Sequence, residues 1–269
     1  MTHKKALGIL LAVVLTMVAF NGNSFADWAS LCGVSINDAT DDKDIHGNAN
    51  SFVKLFNEYF ATELGPNTYL TGNDLFNGRG VDPEFNWISS NTSVVGAYKA
   101  ASLFHELYVL DSDENNLGML YSPTGTDVSN GITDLSGEGT NINTDGLTLT
   151  FQLKAHDGSS VSYLWNSSPT NNYDLKVHMI ALEITDLYNA KTGGNFTDVY
   201  MFGWEDLDDL NAQNYWVADW DYQDFVVIMT NVTPTPATPE PATMLLWAFG
   251  SFGVAGTTWA KKRRSKKRA

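Results

Sequence analysis

From about position 69 onward the apolar residues come in short runs separated by Asn, Asp, Gly and Ser. That alternation of runs and turn formers is the grammar of strands and loops. It predicts strands over 93–97, 103–110, 118–121, 147–155, 161–165, 175–185, 199–204 and 225–230. The runs 147–155 and 161–165 flank His156-Asp157-Gly158, a hairpin signal. Val177, Met179, Ala181 and Glu183 alternate with His178, Ile180, Leu182 and Ile184, so this strand should have little free surface on either side. Upstream, the period changes. Phe52, Leu55, Phe56, Tyr59 and Phe60 fall on one face of a 3.6-residue repeat, which predicts an amphipathic helix over 50–63. Asn50 or Ser51 caps it and Gly65-Pro66 stops it. The stripe reads as a packing face, because large apolar side chains in register are ordinarily core. The segment 124–145, rich in Gly, Asp, Thr and Asn, reads as a long surface loop. The pattern as a whole predicts a mainly β domain, an antiparallel β-sandwich of jelly-roll kind with one N-terminal amphipathic helix.

Two longer apolar runs lie outside this pattern. Lys4 and Lys5 precede an uncharged stretch at 6–20, and Ser24-Phe25-Ala26 follows. This is the plan of a Sec signal peptide over 1–26, cut by signal peptidase between Ala26 and Asp27. At the far end, 242–260 is a 19-residue run without a charge. A helix of that length just crosses a hydrocarbon core of ~30 Å. Trp247 and Trp259 stand towards its ends, and seven Lys and Arg follow within 261–268. Basic residues are retained on the cytoplasmic side, so the chain before the span should lie outside. The sequence thus divides into a signal peptide (1–26), an acidic β domain with a helical lead-in (27–232), an extended Pro/Thr linker (233–238, with Pro234 and Pro236) and a terminal segment (239–269).

That terminal segment consists of the motif Pro239-Glu240-Pro241, a transmembrane helix at 242–260 and a basic tail at 261–269. In this order the three parts resemble the PEP-CTERM sorting signal of exported proteins in Gram-negative bacteria. The resemblance covers about a tenth of the chain. It implies recognition by an exosortase, a transient stay in the inner membrane, removal of the helix, and delivery to the cell surface or extracellular polysaccharide matrix.

Charge sharpens the picture. The whole chain carries −15, from 16 basic and 31 acidic residues. Between Asp27 and Val232, however, seven basic residues face thirty acidic ones, a net −23. Such a surface excludes nucleic acid as a partner and favours cations. The single cysteine, Cys32, allows no intramolecular disulfide. It reads as a small semi-buried side chain, because Leu31 before it does not suit lipidation.

The chemistry-bearing residues gather late in the domain. Phe202-Gly203-Trp204-Glu205-Asp206-Leu207-Asp208 delivers carboxylates from a strand to a loop. A second acidic loop, Asp219-x-Asp221-Tyr222-x-Asp224, precedes the last strand. If the two strands are neighbours, Glu205, Asp206, Asp208, Asp219, Asp221 and Asp224 converge. Several carboxylates together repel unless a cation joins them, and flexible oxygen-rich loops suit Ca²⁺. Zn²⁺ is disfavoured, since the cluster holds no His or Cys. The competing reading is a solvated acidic surface, or Asp side chains capping turns. The pattern resembles the F-G-W-E-D-L … D-x-D-Y-N-D-hydrophobic signature of a bacterial exported domain of unknown function. Phe202 to Leu207 match its first half, and Asp219, Asp221, Tyr222, Asp224 and Phe225 its second. Gln223 stands where Asn is usual, and no Gly precedes Asp219. The resemblance implies a β-sandwich with an acidic, Ca²⁺-binding edge and no known activity.

Other motifs fail on inspection. Asp111-Ser112-Asp113-Glu114-Asn115 begins like an EF-hand, but Asn116 replaces the required Gly and Ser122 the bidentate Glu. His105-Glu106 lacks a second His at the metalloprotease spacing. Ser51-x-x-Lys54, Ser89-x-Asn91 and Lys191-Thr192-Gly193 follow the order of a serine β-lactamase, in a strand-rich context that contradicts its helical half. Aromatic residues near predicted loops (Trp87, Trp165, Trp216, Trp220, Tyr222) are candidate sugar-stacking platforms, although large aromatics are usually core. The expectation is a non-enzymatic, exported surface or matrix protein of structural or adhesive role, stabilised by Ca²⁺. The alternative is a carbohydrate-binding module of the polysaccharide matrix, stacking glycans on Trp216, Trp220 and Tyr222. A secreted hydrolase has no catalytic constellation behind it.

Overall fold

The computed structural model describes residues 52–81, 85–101, 103–123, 131–135, 142–158, 162–207 and 222–235. The expected signal peptide with its Ala26–Asp27 cut, Cys32, the motif Pro239-Glu240-Pro241, the span at 242–260 and the basic tail lie outside the described residues. The chain divides into Met1–Thr235 and Pro236–Ala269, and the architecture below is that of the first unit. Among the described residues no helix is long and apolar enough to cross a membrane.

The unit is mainly β, and every strand pairing is antiparallel. The strands are β1 (Asn86–Lys99), β2 (Phe104–Asp111), β3 (Asn116–Tyr121), β4 (Thr133–Asp134), β5 (Ile142–His156), β6 (Ser162–Asn166), β7 (Met179–Glu183), β8 (Tyr200–Trp204) and β9 (Phe225–Thr235). They form one sheet in the order β3-β2-β5-β1-β9-β8-β7, with β4 on β1 and β6 on β5. Each of the eight predicted runs contains or overlaps a strand. The hairpin at His156-Asp157-Gly158 also forms: β5 pairs with β6, and Gly158 takes the positive φ of +83° that the turn needs.

Two strands are much longer than their neighbours. β1 and β5 shift register partway, so each serves different partners along its length. β5 pairs β1 near its start and lies between β2 and β6 near its end. The sheet consequently folds back on itself. Phe151 of β5 packs edge-on against Phe202 of β8 at 5.5 Å, and Trp87 of β1 against the same ring at 4.9 Å. One core fills this fold, built from Trp87, Leu107, Phe151, Leu153, Trp165, Phe202, Trp204 and Phe225 with their neighbours.

A second core covers the other face of β7, β8 and β9. Helices α1 (Phe52–Tyr59), α2 (Ala61–Leu64), α3 (Gly72–Arg79) and α4 (Thr185–Thr192) contribute to it. Phe52, Leu55, Phe56 and Phe60 are buried, as the helical stripe predicts, and Tyr59 is partly so. Along β7, Met179 and Ala181 face the first core while Ile180 and Leu182 face the second. Along β9, Phe225, Val227 and Met229 face the first, Val226 and Ile228 the second. Strands covered on both faces read as nearly continuous apolar runs, and burial of each such Phe or Leu contributes about 1.5–3 kcal/mol.

Three boundaries need correction. The linker does not begin at 233, because Thr233, Pro234 and Thr235 pair with Ile88, Trp87 and Asn86 at the end of β9. The segment 175–185 is strand only over Met179–Glu183, and its end turns into α4. The loop at 124–145 gives up Thr133–Asp134 to β4 and its last residues to β5.

Candidate functional site

The acidic residues meet where β8 ends and β9 begins. These strands are neighbours, Trp204 pairing with Phe225, so the residues just beyond each are brought together. Glu205 donates its backbone N–H to the carbonyl of His178 (3.0 Å), extending the β7–β8 ladder one step. The next amide, of Asp206, donates to Asp224 Oδ2 at 3.1 Å. The Asp224 carbonyl accepts from Ala100 N–H (3.0 Å), which ties the turn to the end of β1. Glu205 and Asp206 are 0 % and 1 % exposed, and Asp224 is half-buried. Oxygens of all three lie within 4.8 Å of one another.

Two residues that no local motif marks complete the centre. His105 on β2 is fully buried, and its Nε2 lies 2.7 Å from Asp206 Oδ2. Burial, then the charges of Lys99 and His156, hold the imidazole down at about 3. It is therefore neutral and serves Asp206 as an Nε2–H donor, stacked on Phe225 at 5.1 Å. Lys99 is 2 % exposed, and its charge reaches His105. The three carboxylates carry a formal −3.

The remaining shell fixes geometry. Trp165 Nε1 donates to the Asp206 carbonyl (2.9 Å), and its ring stacks on His178 at 3.5 Å. The nitrogens of His178 face two acceptors, the Glu205 carbonyl (3.1 Å) and Asp174 Oδ2 (2.9 Å), which fix the ring between them. Burial works against the Asp174 carboxylate, but the His178 and Lys176 hydrogen bonds hold it below the ordinary carboxylate range. Tyr222 donates its hydroxyl to Val177 O (3.0 Å) from a left-handed backbone, φ +57°. Gly203 leaves room for this turn, since a Cβ there would sit 2.6 Å from both Phe52 Cδ2 and Tyr222 O.

Of the predicted cation ligands, the fold brings together Glu205, Asp206 and Asp224, while Asp208, Asp219 and Asp221 lie outside the described residues. The three assembled groups are hard oxygen donors. Oxygens this close together can be shared by one Ca²⁺. Trp216 and Trp220 also lie outside the described residues. Tyr222 does not offer a stacking face: it is 0 % exposed and belongs to the helix-side core. Trp87 and Trp165 are likewise buried. Asp111 serves its own turn, accepting from Asp113 N–H, Asn115 N–H and Asn115 Nδ2, as rejection of the EF-hand requires. The β-lactamase-like residues are spent structurally: Ser89 donates to Asn231 O and Lys191 to Tyr59 O.

His105 had one signal in the sequence. In Phe104-His105-Glu106-Leu107-Tyr108-Val109 it shares the inward alternation of Leu107 and Val109. A histidine on an inward position must find a buried partner. Comparison with protein-family models gives no match for this chain, and comparison with curated proteins gives none either.

Proposed function

We propose that this is an exported, non-enzymatic surface or matrix protein whose β domain is closed by a Ca²⁺-stabilised acidic centre. The observation that carries the reading is the depth of that centre. Glu205, Asp206 and His105 are buried at the junction of β2, β8 and β9, where they tie the strands together. Groups that act on a large substrate have to meet it, and these face each other. A divalent cation would offset most of the formal −3, with Glu205, Asp206 and Asp224 as ligands. The folded-over sheet is in this reading a β-sandwich of jelly-roll kind, with β2, β3, β5 and β6 as one leaf and β1, β7, β8 and β9 as the other. Export rests on the signal peptide and on the PEP-CTERM-like tail, which would hand the protein to an exosortase.

Thermal unfolding of the purified protein tests the centre. Millimolar Ca²⁺ against chelator should raise Tm, by the mass-action stabilisation of about 2.7 kcal/mol expected at a hundredfold excess over Kd. Asp206→Asn should abolish the difference. An unchanged Tm in the wild type removes Ca²⁺ from the account and leaves His105 as the partner of Asp206.

A further inference from the structure

The segment between β6 and β7 fixes its backbone with inward-turned Asn172 and Asp174. Asn172 Oδ1 accepts from Asn166 N–H (2.6 Å), and its Nδ2 donates to Asn166 O (3.1 Å) and Lys176 O (2.8 Å). Asp174 accepts from Lys176 N–H and lies against His178. Its two large apolar side chains face solvent instead: Tyr173 is 57 % exposed and Leu175 71 %. Leu175 moreover takes φ +59°, a left-handed backbone uncommon for a residue other than Gly, Asn or Asp. Strained backbone concentrates at functional sites, and a braced loop holds these apolar groups where a ligand can reach them.

The tyrosine ring is itself backed. It stacks on Trp165 at 5.0 Å and 29°, and Trp165 is fixed by its bond to Asp206 and its stack on His178. Tyr173 is therefore a pre-oriented flat face whose stack on Trp165 limits rotation. Beside it in the chain, the exposed Asn171 donates Nδ2 to Glu114 Oε1 at 2.8 Å, so an amide and a carboxylate share one edge.

We infer that Tyr173, with Leu175 and the Asn171–Glu114 edge, binds the pyranose rings of a neutral polysaccharide. Size selects this occupant. One aromatic ring and one leucine expose no more than ~300 Å², against the ~800 Å² per partner of a stable protein interface. A sugar face is of the smaller order. Charge selects it too: a second copy of a domain at net −23 is repelled, whereas an uncharged polymer is not. Aromatic stacking against the ring C–H groups, with amide and carboxylate taking hydroxyls, is the chemistry available. The site differs from the acidic centre and draws on the export reading only for the presence of such polymers, so the two stand or fall separately.

Affinity electrophoresis of the purified full chain in gels containing xylan, glucomannan, mixed-linkage β-glucan or dextran tests it. The wild type should be retarded by at least one. Tyr173→Ala should weaken that retardation about tenfold, Tyr173→Phe should keep it, and Leu175→Gly, which relieves the left-handed strain, should reduce it with the fold intact by near-ultraviolet circular dichroism. Free migration in all four gels, or equal retardation of Tyr173→Ala and wild type, overturns the inference. So does concentration-dependent self-association that Tyr173→Ala abolishes, which would make the occupant a second copy.

Discussion

Gly203 explains why the run Phe202-Gly203-Trp204-Glu205-Asp206 takes that order. Phe202 and Trp204 point into the core inside the folded sheet, so Gly203 faces the helices. There Phe52 of α1 and the Tyr222 carbonyl both approach the Cα closely. A methyl group would meet the carbonyl at 2.6 Å, and backbone cannot swing aside as a side-chain end can. Gly203→Ala should therefore cost at least the ~1–3 kcal/mol typical of overpacking. For a domain of this size that lowers Tm by roughly 2–4 °C per kcal/mol. Gly78 is the control: it sits in α3, where an added methyl group would meet nothing within 4 Å, and Gly78→Ala should stabilise by up to ~1 kcal/mol through helix propensity. Calorimetric Tm values of equal size and sign for the two variants would contradict the assigned role of Gly203. The same residue-scale logic separates the two buried histidines. His105 has one acceptor and no partner for Nδ1 among the described residues, so it stays neutral. His178 lies between two acceptors. Residue type alone does not distinguish them.

Among elements, those that could be read from the sequence were those whose burial is periodic. α1 carries its stripe, and β7, β8 and the first half of β9 (225–229) are apolar at nearly every position because both faces are covered. α3 and α4 carry no such signal. Gly72-Asn73-Asp74-Leu75-Phe76-Asn77-Gly78-Arg79 has poor helix formers at most of its positions, and Thr185–Thr192 continues an apolar run that reads as strand. Tertiary partners make these helices. Thr71 and Asp74 form a capping box at the start of α3, and Leu75 and Phe76 fill the second core. At its end Arg79 grips Asp186 in the first turn of α4 with two bonds (2.6 and 2.9 Å) and the Glu183 carbonyl with a third (3.1 Å). The acidic half of the candidate site was legible for a related reason, since it follows two readable strands. His105 was not, because the fold brings it to Asp206 from about a hundred residues away. The Arg79–Asp186 pair gives a pH prediction. The Arg79 hydrogen bond holds the Asp186 carboxyl below the ordinary range. A depressed carboxyl contributes stability that is present above the unfolded value near pH 4 and is lost as pH falls through the folded one. The pair is largely exposed, so screening limits it to about 0.3–1 kcal/mol. Asp186→Asn should lower Tm slightly at pH 7 and leave it equal to wild type near pH 2. A gap that persists at low pH would show that the residue acts through something other than its charge.

At the scale of the whole chain, the distribution of charge matters more than its total. The −15 of the full sequence conceals a −23 segment followed by a tail with seven Lys and Arg. In the proposed route these two parts come to lie on opposite sides of a membrane. An anionic domain gains nothing from the negatively charged cytoplasmic leaflet, whereas each tail Lys or Arg near that surface is favoured by about 1 kcal/mol. In the proposed route the tail holds the chain in place until the bond near Pro239-Glu240-Pro241 is cut, and the acidic domain then leaves without the basic tail. β9 runs to Thr235, which leaves only Pro236 to Thr238 between the last paired residue and the motif. Three residues reach at most about 10 Å. A sorting enzyme would have to work close against the folded domain, so spacing as well as motif should govern processing. Cell fractionation checks both points. Replacing Pro239, Glu240 and Pro241 by Ala should retain an unprocessed chain in the inner membrane, and the wild-type surface form should be lighter by the mass of the helix and tail. Inserting a flexible Gly-Ser segment after Thr235 should preserve processing, and deleting 236–238 should slow it. Surface delivery that survives loss of the motif would overturn the sorting route, and processing indifferent to the deletion would overturn the short-tether argument while leaving the route intact.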